Sequence, residues 1–411
     1  MDFKEYPSYK DSGVEWLGKI PEHWEQKPIW SMFTRTKRTN HPNELLLSVY
    51  RDYGVIPKNS RDDNHNRASE DLTPYQLVLP NDLVINKMKA WQGSIAISEH
   101  QGIVSPAYYV YEPKQPYCSK YIHFLIRSAY FIQSYKNFSK GIRVNQWDLE
   151  NDAFTHIDLL LPPLAEQNQI VAFLDSETCR IDNLIAKQEK LIELLEEHRK
   201  SVISHAVTKG LDPNVPMKDS GVEWLGDVPE YWIIGRLKNL VQIKNGSDYK
   251  HIEAEKSDSS YPVYGSGGVF TYASDFMYDK ESILLGRKGT IDKPLYVTEP
   301  FWAVDTMFYT KIKKNAVGKF VYYQALGFPF DKYSSNTALP SMTQTDLLNL
   351  AITIPSVEEQ NEIIQFIIEK CLQIDELINK QKELIAKLKE YRTSIISHAV
   401  TGKIDVRDLV A

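Results

Sequence analysis

Cysteine is scarce: Cys118, Cys179 and Cys371 are the only three in 411 residues, odd in number and far apart. That spacing excludes a disulfide framework and a C-x-x-C metal site, and it fits a reducing cytoplasm. No apolar run approaches the ~20 residues of a bilayer span, and Met1 to Glu5 is not a basic patch leading an apolar stretch. Neither membrane insertion nor secretion is expected. The signatures of common chemistry are missing as well. There is no G-x-x-x-x-G-K-[ST] loop for a nucleoside triphosphate, no H-E-x-x-H and no Cys/His cluster, so no bound metal is expected. Residues 161–164, LPPL, lack the polar residue and the aromatic of an adenine methyltransferase D/N-P-P-Y/F loop. The lone glycine cluster Gly265 to Gly268 reads as a hairpin turn and not as a cofactor loop. The histidines are scattered, and His205 and His398, near predicted helix ends, read as structural.

An excess of positive charge is also absent, because the formal net charge is −6. The sum hides an alternation: residues 25–158 and 233–354 each carry +2, and everything between and around them is acidic. With 42% hydrophobic and 25% charged residues the chain is an ordinary folded protein, long enough for more than one core.

What the chain does contain is itself, twice. Lys10 to Trp24, KDSGVEWLGKIPEHW, returns from Lys218 to Trp232 as KDSGVEWLGDVPEYW. A second pair begins PLAEQN at Pro163 and SVEEQN at Ser356, and both copies close on SHAVT, at 204–208 and 397–401. The blocks between opener and closer hardly resemble each other, apart from an echo of Gln146 to Leu149 (QWDL) in Gln344 to Leu347 (QTDL). Divergent inserts therefore sit in a duplicated frame, and the two inserts do different things on one kind of scaffold.

The frame reads as helix. Ile181, Leu184, Gln188, Leu191, Leu195, His198 and Val202 alternate by three and four, and Ile374, Leu377, Gln381, Leu384, Leu388, Tyr391 and Ile395 repeat that register, which predicts two coiled-coil seams. A capping box at Ser356 and Glu359, the Pro162-Pro163 pair, and stops at Gly210 and Gly402 bound two helices of some 40 residues, ~60 Å each. Two matching seams in one chain are simplest to bury against each other in an antiparallel pair related by a pseudo-twofold axis; two separate amphipathic helices, each packed on its own domain, are the alternative. Gln188 and Gln381 then either fix the register or reach out to the edge, and Cys179 and Cys371 read as small buried seam residues.

Each insert reads as a mixed α+β globule. Short strands are expected at Leu45 to Tyr50, Leu83 to Ile85, Ile103 to Val104, Ala107 to Tyr111, Ser282 to Leu285, Pro294 to Val297 and Met307 to Thr310, with helices at Lys120 to Tyr135 and Val317 to Leu326. Trp16, Trp24, Trp224 and Trp232 are expected to pack against their domains. The inserts also offer basic and amide side chains among aromatics and glycine turns. In the first these are Arg35, Lys37, Arg38, Tyr50, Arg51, Lys87, Lys89, Gln92, Arg143, Asn145 and Gln146. In the second they are Lys244, Asn245, Tyr264, Ser266, Arg287, Lys288, Thr290, Asn336 and Thr337. Arg and Lys read guanine or hold phosphate, Asn and Gln pair with adenine edges, and a charged surface loop is the bland alternative for any one of them.

The opener D-S-G-V-E-W-L-G-x-h-P-x-x-W, a variable block, then a proline-led E-Q-x-x-I helix ending in S-x-I-S-H-A-V-T, all of it twice, resembles the DNA-specificity subunit of a type I restriction-modification system over essentially the whole chain. The resemblance implies two target recognition domains, 25–158 and 233–354, and an antiparallel coiled-coil spacer from 164–208 and 357–401. As domains this reads 1–158, 159–212, 213–354 and 355–411. It implies a non-catalytic cytoplasmic protein that binds double-stranded DNA and directs two copies of an adenine methyltransferase subunit, with restriction subunits as further partners. S-adenosylmethionine, ATP and Mg are then expected on those partners and no cofactor on this chain. A protein-binding structural adaptor, and a methyltransferase or nuclease with unrecognised motifs, are the competing readings.

Overall fold

A computed structural model describes residues 3–51, 53–61, 68–143, 146–333 and 340–409. The chain resolves into two units, residues 1–187 with 383–411, and residues 188–382. The same wiring appears in both.

In the first unit a four-stranded antiparallel sheet runs in the order Phe33–Thr36, Tyr108–Pro113, Leu83–Asn86, Ile95–Ile97. The second unit repeats that order with Val241–Asn245, Met307–Ile312, Ser282–Gly286 and Leu295–Val297. Beside each sheet is a hairpin, Leu47–Tyr50 with Gly54–Pro57 in one and Tyr261–Gly265 with Gly268–Ala273 in the other. In both units the hairpin's first strand meets a later strand in parallel, by the bridge Leu46 to Ile103 and by Val263 to Trp302. The inserts are thus the same fold written in unrelated residues. The QWDL echo does not express this kinship: Gln146–Leu149 is a strand, and Gln344–Leu348 is a helix.

Several expected elements shift. The helix expected over Lys120 to Tyr135 is two, Ser119–Ile126 and Ala129–Asn137, because Ser128 is extended and breaks the run. The strands Phe33–Thr36 and Val241–Asn245 lay outside the expected list: the first has a single apolar residue, Phe33, and the second alternates only over Val241 and Ile243, with Gln242 and Lys244 exposed.

The duplicated frame anchors each insert. Trp24 is buried and its indole N–H donates to Glu166 at 2.9 Å; Trp232 is buried and donates to Glu359 at 3.0 Å. Glu166 also accepts from the Tyr6 hydroxyl at 2.7 Å and meets His23 Nε2 at 2.7 Å, and Glu359 accepts from Tyr231 at 2.7 Å. The glutamate of each E-Q-x-x-I start therefore ties its helix to the tryptophan of an opener. This corrects the expected capping box at Ser356: the Glu359 amide does donate to the serine hydroxyl at 3.2 Å, but the carboxylate turns to Trp232 instead of reaching back. Trp16 and Trp224 pack edge-on against Phe131 and Phe328, each at 5.7 Å.

The first long helix is Leu164–Lys209 and the second Val357–Val400. In the first unit Arg392 pairs with Asp182 at 2.9 Å, and the Tyr121 hydroxyl donates to Leu160 O just before the first helix and to Val400 O at the end of the second. In the second unit Arg199 pairs with Asp375, and the Thr353 hydroxyl donates to Val207 O at the end of the first helix. Within either unit, then, the start of one long helix lies beside the end of the other. The closers dock on openers in the same way. Lys403 Nζ donates to Leu17 O and Lys19 O at 2.8 and 2.7 Å, and Lys209 Nζ donates to the corresponding Leu225 O and Asp227 O. Gly402 ends its helix at φ +69 where a Cβ would lie 2.3 Å from Pro21, so both the turn and the contact demand glycine.

The buried line along the helices is one step aside from the expected one. Ile181 and Ile374 are buried as expected, but Leu191, Leu377 and Leu384 are 39–44% exposed, and Ile185, Ile378 and Ile385 are buried in place of the leucines beside them. Leu184, Gln188, Leu195, Gln381 and Leu388 are half-buried. The same offset leaves Cys179 exposed, with Thr178 inside bonding Leu174 O at 2.7 Å, and Cys371 half-buried.

Candidate nucleic-acid interface

In the first unit, three strands of the four-stranded sheet end together: the C-terminal ends of Phe33–Thr36 and Leu83–Asn86 flank the start of Tyr108–Pro113. Arg35 sits there with its guanidinium 4.2 Å from the centre of the Tyr109 ring, and the Lys87 ammonium is 5.8 Å from the same ring. Both cations lie against one tyrosine ring, a favourable contact that orders the two side chains at the sheet end. Lys87 is also 2.9 Å from Asp148, and that hydrogen bond raises its pKa. Lys37, Lys89 and Gln92 are exposed beside them.

The tip of the neighbouring hairpin carries Tyr50 and Arg51, with the Arg61 guanidinium 4.5 Å from the Tyr53 ring and 5.5 Å from that of Tyr50. Arg38 differs from the rest. Its two arms bond Asp82 and Glu112, each at 2.6 Å, and although burial pulls its pKa down, those carboxylates raise it overall. It is an internal brace. Arg143 and Gln146 face each other as backbone partners at the end of a hairpin, and Asn145 lies outside the described residues.

The second unit assembles its candidates at the corresponding sheet end. Lys244 and Asn245 close Val241–Asn245, and Asn245 Oδ1 accepts from Gln344 Nε2 at 3.1 Å. Arg287, Lys288 and Thr290 lie in the loop after Ser282–Gly286, the counterpart of the loop that holds Lys87, Lys89 and Gln92. The Arg287 guanidinium donates to Asp305 O at 3.3 Å and stands 6.0 Å from the Phe308 ring, while Lys288 is exposed. Ser266 is in the hairpin turn closed by the Gly265 to Gly268 pair, as expected. The Tyr264 hydroxyl is engaged by Glu299 at 2.9 Å, and its pKa is pushed up to about 12 by burial and by that bond. Asn336 and Thr337 lie outside the described residues.

Residue types and local glycines located these loops, but not the side chains that shape them. Tyr109 was visible only as a strand aromatic, and Gln344 only as part of an echo. Trp91 and Trp147 stack at 5.2 Å beside Lys87 to Gln92, and the buried Trp91 indole N–H has no hydrogen-bond partner among the described residues. Among the described residues no group of three or more His, Cys, Asp or Glu could hold a metal ion, and no helix is long and apolar enough to cross a membrane. The arrangement offers cations, amides and aromatic faces for binding.

Comparison with known proteins places these features. A family model for the type I restriction modification DNA specificity domain matches residues 21–197 and 229–387. The MjaVIII type I restriction enzyme specificity subunit of Methanocaldococcus jannaschii is 28% identical, with 95% of each chain covered. The EcoKI specificity subunit of Escherichia coli K12 is 21% identical, covering 94% of this chain and 90% of its own. Among solved structures, a chain from work on complex assembly and conformational transition of the type I R-M system superposes with a TM-score of 0.67 at 15% identity, over 93% of this chain and 98% of that one. The HsdS subunit from Thermoanaerobacter tengcongensis gives 0.55 at 15% identity, over 96% and 100%.

Proposed function

The chain belongs to the type I restriction-modification DNA specificity family, and from that premise we propose that it reads an asymmetric bipartite site in double-stranded DNA, one half through residues 25–158 and the other through 233–354. The observation that carries this reading is the repetition of one sheet-end loop set, Arg35, Lys87 and Lys89 in one domain and Lys244, Arg287 and Lys288 in the other, on one topology with unrelated residues. Common wiring with different side chains is what two readers of different sequences need. Basic residues beside Gln92, Asn245 and Gln344 can hold phosphate and pair with base edges. Arg38 and Tyr264, engaged within the protein, are supports for those loops.

The four segments 1–158, 159–212, 213–354 and 355–411 then act as domain, helix, domain, helix. The two long helices form an antiparallel coiled-coil spacer with pseudo-twofold symmetry, and its length fixes the unread gap. The ion pairs Arg392 to Asp182 and Arg199 to Asp375, each within its own unit, support that pairing. Each half-site alone discriminates weakly, at about 1–3 kcal/mol per base pair; linking the two makes the second binding event intramolecular. The exposed Leu191, Leu194, Leu377 and Leu384 are the surfaces on which two adenine methyltransferase subunits dock. Those partners, with restriction subunits where present, carry S-adenosylmethionine, ATP and Mg in the cytoplasm, and this chain carries recognition alone.

Selection of modified DNA from a library randomised at both half-sites, using the chain reconstituted with its methyltransferase, tests this. A two-part motif is expected, and indifference to sequence overturns it. With only +2 on each domain, the isolated chain should bind DNA weakly and with a shallow salt slope. A steep slope for the chain alone would show that it makes most of the phosphate contacts itself.

A further inference from the structure

Arg127, immediately after the helix Ser119–Ile126, holds three backbone carbonyls of two other elements. Its Nη1 donates to Ile95 O at 3.2 Å and to Tyr50 O at 3.4 Å, and its Nη2 donates to Arg51 O at 2.5 Å. Ile95 starts the strand that follows the Lys87 to Gly93 loop, and Tyr50 and Arg51 form the hairpin tip. One planar, rigid guanidinium thus joins the tip to the sheet, a geometry that a flexible ammonium reproduces poorly. The fit around it is close. A Cβ on Gly54, where the hairpin returns, would come within 3.1 Å of His123, 3.3 Å of the Ala96 Cβ and 3.6 Å of Arg127 Nη1. A Cβ on Gly93 would stand 3.6 Å from the Arg51 side chain, so the hairpin tip and the basic loop adjoin.

Among the described residues, the second unit has no arginine at the corresponding place. Leu326 follows its helix Gly318–Ala325, and its hairpin is held by the bond from Val304 N to Tyr264 O at 3.1 Å, by the parallel pairing to Trp302–Ala303 and by the Tyr264 hydroxyl on Glu299.

We propose that Arg127 is the positioning residue for the first half-site: it touches no DNA, but sets Tyr50, Arg51 and Tyr53 against the Lys87 to Gly93 loop so that both present to the same stretch of duplex. This rests on the reading of residues 25–158 as a DNA-reading domain. The hydrogen bonds end on carbonyls, so they carry no sequence information themselves. Their effect is on where the side chains of the tip stand.

The test uses the full chain reconstituted with its methyltransferase, and the base preferences of modified DNA drawn from a library randomised in both half-sites. With R127M, discrimination at positions of the first half-site should fall about tenfold, within the range that single base contacts supply. The second half-site should keep its preference. R127K should lie between R127M and the parent, and L326M should leave both halves unchanged. Loss of binding to all sequences alike, with unaltered base preference, would show a role in stability alone and overturn the proposal, as would an unchanged first half-site. Should R127M fail to assemble, R127Q, an amide that can reach one carbonyl, takes the same test. A parent complex that selects no sequence would instead defeat the reading of the domain, a result separable from any effect of Arg127.

Discussion

The two inserts share a sheet order, a hairpin beside it and a loop at the same sheet end, yet they stabilise those parts by different means. The first braces itself with charge: Arg38 bonds Asp82 and Glu112, Lys87 bonds Asp148, and Arg127 clamps the hairpin. The second uses amides, hydroxyls and backbone: Gln344 on Asn245, Tyr264 on Glu299, and Val304 on Tyr264. By contrast the frame is solved identically, with a buried tryptophan on a helix-start glutamate in both units. Where the two units repeat residues they repeat contacts, and where their residues differ only the wiring is repeated.

Removing the shared anchor should break both halves alike. Trp24→Ala and Trp232→Ala each empty a fully buried indole site, and each should cost about 3–5 kcal/mol in denaturant unfolding. A large effect of one and a negligible effect of the other would end the equivalence of the two frames.

Acid should separate the domains next. His123 is half-buried near Arg127 and Lys120, and its pKa is lowered to about 4, first by desolvation and then by those cations. The imidazole is neutral in the fold, whereas the unfolded chain takes up a proton below ~6.5. Its contribution is therefore complete above pH 6.5 and is lost as the pH falls towards about 4, by up to about 3 kcal/mol. The corresponding helix position in the second unit is Tyr322, which does not ionise in that range. Stability against pH for the parent and for H123F should diverge only below pH 6.5, and parallel curves would contradict the assignment.

A smaller difference should appear at the two glutamates. Glu166 is 5% exposed and meets Tyr6, His23 and Trp24; Glu359 is half-buried and accepts from Tyr231 and Trp232. Charge-assisted bonds are worth about 1.5–3 kcal/mol, so Glu166→Gln should cost about 2 kcal/mol and Glu359→Gln about 1 kcal/mol. Equal losses on thermal unfolding would show that the extra partners of Glu166 add nothing.

The frame was legible in the residues because repetition exposes it without any knowledge of packing. The seam was legible only to within one step. Leu184-Ile185, Leu191-Ile192, Leu377-Ile378 and Leu384-Ile385 are apolar doublets, so a three-four alternation fits either member, and only the packing of the partner helix selects one. The candidate loops were found by their basic residues and glycines, but the distinction between a reading side chain and a brace was not available. Arg35 and Arg38 look alike in sequence. The carboxylates that occupy Arg38 lie 44 and 74 residues away, and only the sheet brings them together. Arg127 was invisible for the same reason, since its acceptors are backbone carbonyls of residues 32 and 76–77 positions away.

The central claim is that each insert reads its own half of one DNA site, and the most direct measurement is a genome-wide map of adenine methylation in cells carrying the chain with residues 233–354 exchanged for those of another family member. One half of the modified motif should change while the other half and the gap between them stay as they were. A motif altered in both halves, or in neither while methylation persists, would contradict the account.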